Sequence, residues 1–224
     1  SLAAIFPFEL KVYADTALPV EFVGHPFLAL DYTAPVRFDP AGPVLLLPGS
    51  RQSAVARIFP VLLESFRFGG TGREAVVLYP SDEVRAVLRA ANPPANVRLV
   101  RTGEPATGAA VLTSSGTMSM HCALAGIPGA ITYRTDPLTY WLGRMLVRVD
   151  QLGIANLLLG EPMYPEFIQG AAKPVALARE LRACLADPAR RARTAAQAAR
   201  LRALLSVPAS GTAADWLARQ LRVR

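Results

Sequence analysis

Short apolar runs alternate with helix-forming segments through the middle of the chain, and this alternation restricts the fold more than any other feature. The alternating segments are predicted strands at 43–48, 74–80 and 97–100 and predicted helices at 53–66 and 81–91. The first of these helices contains Pro60, which is expected to kink it. Strands separated by helices of about ten residues are typical of βαβ units on a parallel sheet. The pattern therefore predicts an α/β domain.

The stretch VLTSSGTMSMHCALAGIPGAITYR, residues 111–134, extends this order. Its apolar runs at 111–113 and 130–133 predict strands, and the segment 118–125 between them predicts a helix. After residue 133 the pattern predicts helices to the end of the chain. The breaks between them are predicted at Gly153, Gly160, Pro174, Pro188 and Pro208.

The first residues of the chain differ from this pattern. The apolar runs AAIFPFE and VEFVGHP bracket one short amphipathic segment, which is typical of the tail of another α/β unit. The domains are accordingly predicted as a remnant at 1–30, a Pro-rich linker at 31–43, a main domain at 44–206 and a C-terminal helix at 207–224. Because the chain begins at Ser1, within a predicted strand, we expect it to be part of a longer protein.

The composition predicts a folded protein with an affinity for anions. Hydrophobic residues make up 52% of the chain and charged residues 18%, which is enough for a buried core. The net charge of +7 suits phosphates, nucleic acid or an acidic membrane surface. Arginine is densest in RELRACLADPARRARTAAQAARLRALL, where we expect arginines on exposed helix faces. Attraction of these helices to anionic lipid is the alternative, and no motif for nucleic acid accompanies the charge.

The sequence carries no signal for a membrane span or a metal site. No apolar run reaches the roughly 18 residues that a span needs, and no leader pattern is present, so secretion is not expected. Cys122 and Cys184 lack metal-ligand spacing and are expected to be buried thiols in a reducing compartment. The histidines, His25 and His121, are too isolated to predict a metal site. We expect His25 to be a core or hinge residue rather than a polar contact.

Two junctions between a predicted strand and a predicted helix carry the residues of an anion site. In LPGSR, residues 47–51, Gly49 allows close backbone approach, Ser50 can cap the helix, and Arg51 adds a cation to the exposed amides. In SSGT, residues 114–117, hydroxyl groups again precede a helix. Ligands of parallel α/β sheets bind where strands end and helices begin. Together the junctions favour a diphosphate with an attached sugar or nucleoside, although each alone is also typical of a plain helix cap.

Other motifs, by their absence or presence, restrict the classes of enzyme that the sequence indicates. The patterns GxxxxGK[ST], GxGxxG and GxSxG are absent, which disfavours a P-loop kinase, a dinucleotide dehydrogenase and a serine hydrolase elbow. Glu161 and Glu166, in GEPMYPEF, are the carboxylates nearest a candidate ligand loop. Glu166 suits a hydrogen bond to a sugar hydroxyl or an exposed position early in a helix. The amphipathic segment TDPLTYWLGRMLVRV, 135–149, predicts a core helix, or a helix that contacts a lipid bearing a phosphate.

Several segments, in this order, resemble the lipid-A-disaccharide synthases, which are inverting glycosyltransferases of family 19 with a GT-B fold. The matching segments are AIFPFE, FVGHP, LLLPGSR, SSGT followed by CALAGIPGAITYR, DPLTYWLGRMLV, and NLLLG followed by PEFIQ. The run from 115 to 169 is the most specific, because a generic nucleotide-sugar transferase is not expected to carry these last motifs together.

The resemblance implies a GT-B protein of two Rossmann-like domains, with the donor bound by the C-terminal one and with most of the N-terminal one missing here. It implies transfer of 2,3-diacylglucosamine from its UDP derivative to 2,3-diacylglucosamine 1-phosphate, giving the lipid A disaccharide 1-phosphate and UDP. The implied enzyme is cytoplasmic and peripheral on the inner-membrane face, uses no cofactor or metal, and does not bind nucleic acid. A homodimer is left open.

The resemblance also implies which residues bind the substrate. They are Gly49, Ser50, Arg51, Ser115, Gly116, Thr117, His121, Asn156, Glu166 and Gln169. The general base is expected in the missing N-terminal domain, so no catalytic residue is assigned in this chain. Alone, the chain is expected to bind the nucleotide and to be inactive.

Three positions depart from the family pattern. The family carries a glutamate at the place of His121, an acid at the place of Ala54 and an arginine at the place of Glu161. Loss of the glutamate is expected to weaken or alter nucleoside recognition. Two alternative functions therefore stand beside the synthase. One is another GT-B enzyme that uses UDP-N-acetylglucosamine, such as a 2-epimerase or the peptidoglycan transferase, and the other is a non-catalytic module that binds a nucleotide or a membrane.

Overall fold

The computed structural model of the chain describes residues 1–70, 72–136 and 151–222, and these form two compact units. Unit 1 combines Ser1–Ala34 with the C-terminal segment from Ala199, and unit 2 is Pro35–Ala198. The strands are β1 (Leu2–Ala4), β2 (Val20–Phe22), β3 (Val36–Phe38), β4 (Val44–Leu47), β5 (Ala75–Tyr79), β6 (Val97–Arg101), β7 (Ala106–Gly108), β8 (Ala110–Ser114), β9 (Gly129–Tyr133) and β10 (Glu166–Ile168). The described helices are α1 (Glu9–Val12), α2 (Gln52–Gly69), α3 (Asp82–Ala90), α4 (Thr117–Leu124), α5 (Ile154–Leu159), α6 (Pro174–Ala186), α7 (Pro188–Leu205) and α8 (Ala213–Arg222).

The main sheet of unit 2 has the order β10-β9-β8-β4-β5-β6, and every pair in it is parallel. Counted in chain order, its six strands lie as 3-2-1-4-5-6, the order of doubly wound Rossmann-like sheets. The prediction of a parallel α/β fold is confirmed. The chain leaves β4 toward one edge and returns at β8 toward the other, so the switch point of the sheet lies between these two strands.

The apolar runs become central strands because both faces of the sheet are covered. All residues of β4 and β5 are buried, as is expected for parallel strands between two helix layers. Helix α2 continues through Pro60 and packs against α6. A Cβ atom on Gly69 would lie 2.7 Å from the carbonyl oxygen of Ala178, so this glycine allows the two helices to approach closely.

Three short strands, β3, β7 and β10, lie in segments where the sequence predicts none. Strand β10 pairs with β9, with Glu166 opposite Ile131, so the prediction of helices throughout the segment after Tyr133 is wrong at 166–168. Strand β3 lies within the predicted linker 31–43 and pairs with β7. Each of these strands has three residues, too few for a periodic pattern, and pairing with a distant strand makes them extended.

Unit 1 begins with the strand–helix–strand order that its two apolar runs predict. Strands β1 and β2 pair in parallel, and α1 connects them. His25 is buried beside them, where its Nδ1 accepts a hydrogen bond from the Phe27 amide at 3.2 Å and its ring lies 5.0 Å from the Phe6 ring. Burial lowers the pKa of this histidine. His25 thus has the packed, internal position expected for it.

Arg190 is an exception to the prediction that the arginines of the C-terminal helices lie on exposed faces. Its side chain is buried, and it donates to the Glu180 carboxylate at 3.1 Å and to the carbonyl oxygens of Gly129 and Met163 at 3.0 and 3.1 Å. The prediction is wrong for this residue because the two carbonyl groups that it binds come from distant parts of the chain. The exposed arginines of these helices are Arg179, Arg182, Arg193, Arg200 and Arg202.

The two cysteines are free and buried, as predicted. Burial raises the pKa of the Cys122 thiol and of the Cys184 thiol to about 12. No helix in the described ranges combines the length and the apolar character needed to cross a bilayer.

Candidate functional site

A cavity of about 590 Å³ opens at the carboxyl edge of the main sheet, at the switch point between β4 and β8. Both predicted junctions line it: residues 49–51, which follow β4, and residues 114–117, which follow β8. Strands β4 and β8 pair directly, with Leu47 opposite Thr113, so both junctions leave the sheet at the same level. A Cβ atom on Gly49 would lie 3.2 Å from the Ser114 Oγ. The two loops are therefore neighbours, and together they form one wall.

The first junction, the LPGSR loop, leaves the start of α2 open. Gly49 has a φ of +112°, which side chains rarely tolerate, and it turns the chain from β4 into the helix. Residue Arg51 occupies the N-cap position, and no side chain accepts a hydrogen bond from the first amides of α2. Ser50 therefore does not cap the helix. The first amides of a helix have no partner within it, so they remain available to a ligand.

The second junction, the SSGT loop, has the same property. Gly116, with a φ of +144°, is the N-cap of α4, and no side chain caps this helix. The Ser119 hydroxyl donates back to the Gly116 carbonyl at 2.6 Å and so does not use the amides at the helix start. Both helices thus direct uncapped N-termini at the cavity, where their dipoles favour an anion.

The charged residues that are described on the cavity wall have one sign. Three arginines line it, Arg51, Arg57 and Arg134, and none of the described lining residues is acidic. Arg134 donates to the Ala172 carbonyl at 2.8 Å. The other two side chains are exposed and make no hydrogen bond or ion pair with the part of the chain that the structure describes. The wall therefore attracts anions and leaves two guanidinium groups available to them.

Apolar residues also line the cavity on both sides of the two junctions. Ile58, Leu78, Pro80 and Tyr133 contribute to its wall, with Thr102 beside them. These residues lie at or near the ends of β5, β6 and β9 and in α2, so they face the same edge as the anion-binding loops. The cavity accordingly combines a polar, positively charged wall with room for a flat or apolar group.

Four of the predicted substrate-binding residues do not lie on this wall. They are His121, Asn156, Glu166 and Gln169. Gln169 instead pairs with the backbone of Thr135: its Oε1 accepts from the amide and its Nε2 donates to the carbonyl, each at 3.2 Å. Since Thr135 lines the cavity, Gln169 fixes a part of the wall from behind. Asn156 and Glu166 belong to a hydrogen-bond network next to the Ser115 loop.

The positions that depart from the family pattern lie in different parts of the structure. Ala54 lies on the cavity wall, so the missing acid there leaves the described lining residues without a carboxylate. Glu161 lies elsewhere and accepts a hydrogen bond from the Gln197 amide at 3.0 Å. The predicted lipid-contacting helix at 135–149 falls almost entirely outside the described residues.

Several cavity residues were not singled out from the sequence. Arg57 follows Ser50 by two helical turns, and a helix-face count from the LPGSR loop would have placed it on the same side as Ala54. Leu78, Pro80 and Thr102 lie where β5 and β6 end, so the strand-end rule that selected the two junctions also applies to them.

A model of the family described as lipid-A-disaccharide synthetase matches residues 1–214. Among curated proteins, the chain is similar to the lipid-A-disaccharide synthase of Geobacter metallireducens, with 34% identity over 218 residues, 90% of the chain and 57% of that protein. It is equally similar to that of Syntrophus aciditrophicus, with 34% identity over 236 residues, 97% of the chain and 61% of that protein. The chain therefore spans little more than half the length of these relatives.

Two solved structures share the fold. The calicheamicin glycosyltransferase CalG4 superposes with a TM-score of 0.53 at 18% identity, over 90% of the chain and 48% of that protein. The glycosyltransferase of kitacinnamycin superposes with a TM-score of 0.52 at 18% identity, over 97% of the chain and 54% of that protein. The predicted GT-B-type architecture is confirmed.

Proposed function

The chain belongs to the lipid-A-disaccharide synthetase family, and on this premise we propose that it is the donor-binding part of a glycosyltransferase. The donor is UDP-2,3-diacylglucosamine and the acceptor is 2,3-diacylglucosamine 1-phosphate. The products are the β-1,6-linked lipid A disaccharide 1-phosphate and UDP. In this proposal the diphosphate of the donor occupies the cavity between the LPGSR and SSGT loops.

The observation that carries the proposal is the pair of uncapped helix N-termini on one wall. Helices α2 and α4 both begin at the cavity without a side-chain cap, and Arg51 stands at the start of the first. A single open helix start is weak evidence, because many exposed helices lack a cap. Two adjacent ones, with three arginines and no carboxylate on the described part of the wall, match the charge and the extent of a diphosphate.

The same groups stabilise the leaving group. As the bond between the sugar and the diphosphate breaks, negative charge accumulates on the departing UDP. Gly116, Thr117 and Arg51 line the cavity before the reaction, so in this proposal little reorganisation accompanies the charge. The apolar residues Leu78 and Pro80, at the end of β5, suit the uracil ring.

The attacking hydroxyl needs a general base and an acceptor pocket. Among the described residues, the cavity wall has no carboxylate or histidine that could take this proton. The curated relatives are longer than this chain, and we place the base and the acceptor pocket in the additional part. On its own, the chain is then expected to bind UDP without transferring the sugar.

A transferase assay on the whole protein tests the proposed activity. The whole protein, incubated with UDP-2,3-diacylglucosamine and 2,3-diacylglucosamine 1-phosphate, is expected to release UDP and to form the disaccharide 1-phosphate, measured by mass spectrometry. A parallel incubation with UDP-N-acetylglucosamine alone is expected to leave it unchanged. Conversion to the 2-epimer would instead support the epimerase alternative, and UDP binding without any turnover would support the non-catalytic module.

We also propose that α8 contacts the cytoplasmic face of the inner membrane, where the acyl chains of the substrates lie. Leu217 and Leu221, one turn apart on this helix, are 52% and 67% exposed. Its last turn contains Arg222 and also Arg219, which forms an ion pair with the Glu21 carboxylate at 2.7 Å. Exposed leucines beside arginines are typical of helices that lie at an anionic lipid surface.

Vesicle sedimentation tests this contact. The protein is expected to bind vesicles of phosphatidylethanolamine with phosphatidylglycerol and to dissociate as salt is raised, because the electrostatic part is screened. Leu217→Ser with Leu221→Ser is expected to reduce the bound fraction, whereas Leu157→Ser, a control at an exposed leucine of α5, is expected to have no effect. Binding that does not depend on salt, or no binding, would contradict the proposal.

A further inference from the structure

We infer that Glu166 is a positioning residue for the anion loop, defined as residues 115–117. Its carboxylate fixes the peptide between Leu152 and Gly153, and that peptide in turn fixes the Ser115 hydroxyl. The inference rests on the proposed function, because the anion loop is the part of the cavity assigned to the diphosphate.

The Glu166 carboxylate is fully engaged inside the protein. Its Oε2 accepts from the Leu152 amide at 2.8 Å, and its Oε1 accepts from the Gly153 amide at 2.9 Å and from the Asn156 Nδ2 at 2.8 Å. Strand β10 holds this side chain in register with Ile131 on the edge of the main sheet. The carboxylate therefore holds the 152–153 backbone at a fixed position relative to the sheet.

Gly153 shows how closely this backbone approaches. A Cβ atom there would lie 2.5 Å from the Ile131 Cδ1 and 3.1 Å from the Glu166 Oε1. Its φ of −79° is open to any residue, so the site needs glycine for space and not for conformation. The 152–153 peptide is thus held between Ile131 and the carboxylate.

This single peptide group connects Glu166 with the cavity. Its N–H, on Gly153, donates to the carboxylate, and its carbonyl, on Leu152, accepts from the Ser115 Oγ at 2.8 Å. Hydrogen bonds in such a chain polarise one another, so the anionic carboxylate strengthens the bond to Ser115. The Ser115 proton is therefore used internally, and the phosphate-binding donors of the loop are its backbone amides and the Thr117 hydroxyl.

Asn156 completes the network. Its Oδ1 accepts from the amides of Met163 and Tyr164, both at 2.9 Å, and its Nδ2 donates to the Tyr164 carbonyl at 2.7 Å as well as to Glu166. The residue is 1% exposed, and its two N–H groups and its oxygen all have partners. The contribution of Asn156 and Glu166 to the ligand is accordingly made through the loop that they orient.

The arrangement also explains how an acid lies next to an anion site. A free carboxylate behind the anion loop would repel a diphosphate. Here three donors, two of them backbone amides at the start of α5, offset its charge. The carboxylate can thus fix the loop at little electrostatic cost to the ligand.

A double-mutant cycle on UDP affinity tests the inference. Glu166→Gln keeps the size of the side chain but turns one acceptor into a donor that faces an amide. It is expected to weaken UDP binding about fivefold or more, and Ser115→Ala is expected to have a similar effect. The double variant is expected to bind no worse than the weaker single variant, because both changes release the same loop. Glu180→Gln, a control at a carboxylate that is paired with Arg190, is expected to lower stability without changing UDP affinity.

Hydrogen exchange without ligand separates this inference from the proposed function. In Glu166→Gln, the amides of Gly116 and Thr117 are expected to exchange faster than in the parent chain, and in Ser115→Ala the Gly153 amide is expected to do so. Strictly additive losses of affinity, or an equal loss in Glu180→Gln, would overturn the positioning role. If the parent chain binds no UDP, the proposed function fails, and unchanged exchange in both variants then also overturns the positioning role.

Discussion

Replacing Arg51 by alanine is expected to weaken UDP binding while leaving the fold intact. The side chain is exposed and has no hydrogen bond or ion pair with any residue in the described ranges, so its removal breaks no polar interaction with them. A hydrogen bond to a charged group contributes about 1.5 to 3 kcal/mol. At about 1.4 kcal/mol for each tenfold change, this corresponds to a roughly 10- to 140-fold loss of affinity. Because solvent screens an exposed guanidinium, we expect a value near the lower end.

Calorimetric titration with UDP and with uridine provides the assay. Arg51→Ala is expected to raise the Kd for UDP at least about tenfold and to leave the weaker binding of uridine unchanged, since uridine has no phosphate. Arg89→Ala is the matched control, because Arg89 is an exposed arginine on α3 that does not line the cavity. An unchanged Kd for UDP in Arg51→Ala would refute the assignment. An equal loss in Arg89→Ala would show a general effect of net charge instead.

Three further predictions concern buried groups. Arg190→Met leaves a carboxylate and two carbonyl groups without their partner, so we expect the free energy of unfolding to fall by about 3 to 5 kcal/mol. Calorimetry is expected to show this as a fall in Tm of roughly 6 to 20 °C, and an unchanged Tm would contradict it. The thiols of Cys122 and Cys184, with a pKa of about 12, have a thiolate fraction on the order of 10⁻⁵ at pH 7. A disulfide reagent is therefore expected to react with them only after denaturant is added. Rapid reaction of the native protein would contradict this prediction. The pKa of His25 is lower in the folded than in the unfolded state, so the unfolded state binds more protons, and stability is expected to fall as the pH drops through the unfolded pKa near 6.5. His25→Gln is expected to flatten this dependence in urea titrations, and an equally steep dependence in the variant would argue against it.

The sequence predicted the centre of the fold because its signals there are local. Each central strand is a continuous buried run, and each junction places glycine and hydroxyl residues directly after such a run. Strand β10 gives no comparable signal, since it has three residues and becomes a strand only by pairing with β9. Arg190 was misplaced for a related reason. An arginine in an alanine-rich helix indicates a solvated face, whereas two of its partners, the carbonyls of Gly129 and Met163, come from segments far away in the sequence.

The same distinction applies to the site. Gly49, Arg51 and Gly116 line the cavity as expected, because the ends of parallel strands meet at one edge. Motif matching also selected Glu166 and Gln169, but it did not reveal whether they face a ligand or support the loops that do. That difference depends on hydrogen bonds to the 152–153 backbone and to Thr135, which only the three-dimensional arrangement brings within reach.

The most direct test of the account is calorimetric titration of this chain with UDP, with CMP and ADP as controls. The central claim is that the paired helix N-termini and Arg51 form a binding site for the diphosphate of a uridine nucleotide. Micromolar binding of UDP, with much weaker binding of CMP and ADP, is the predicted result. Absence of UDP binding, or equal binding of all three nucleotides, would contradict the claim.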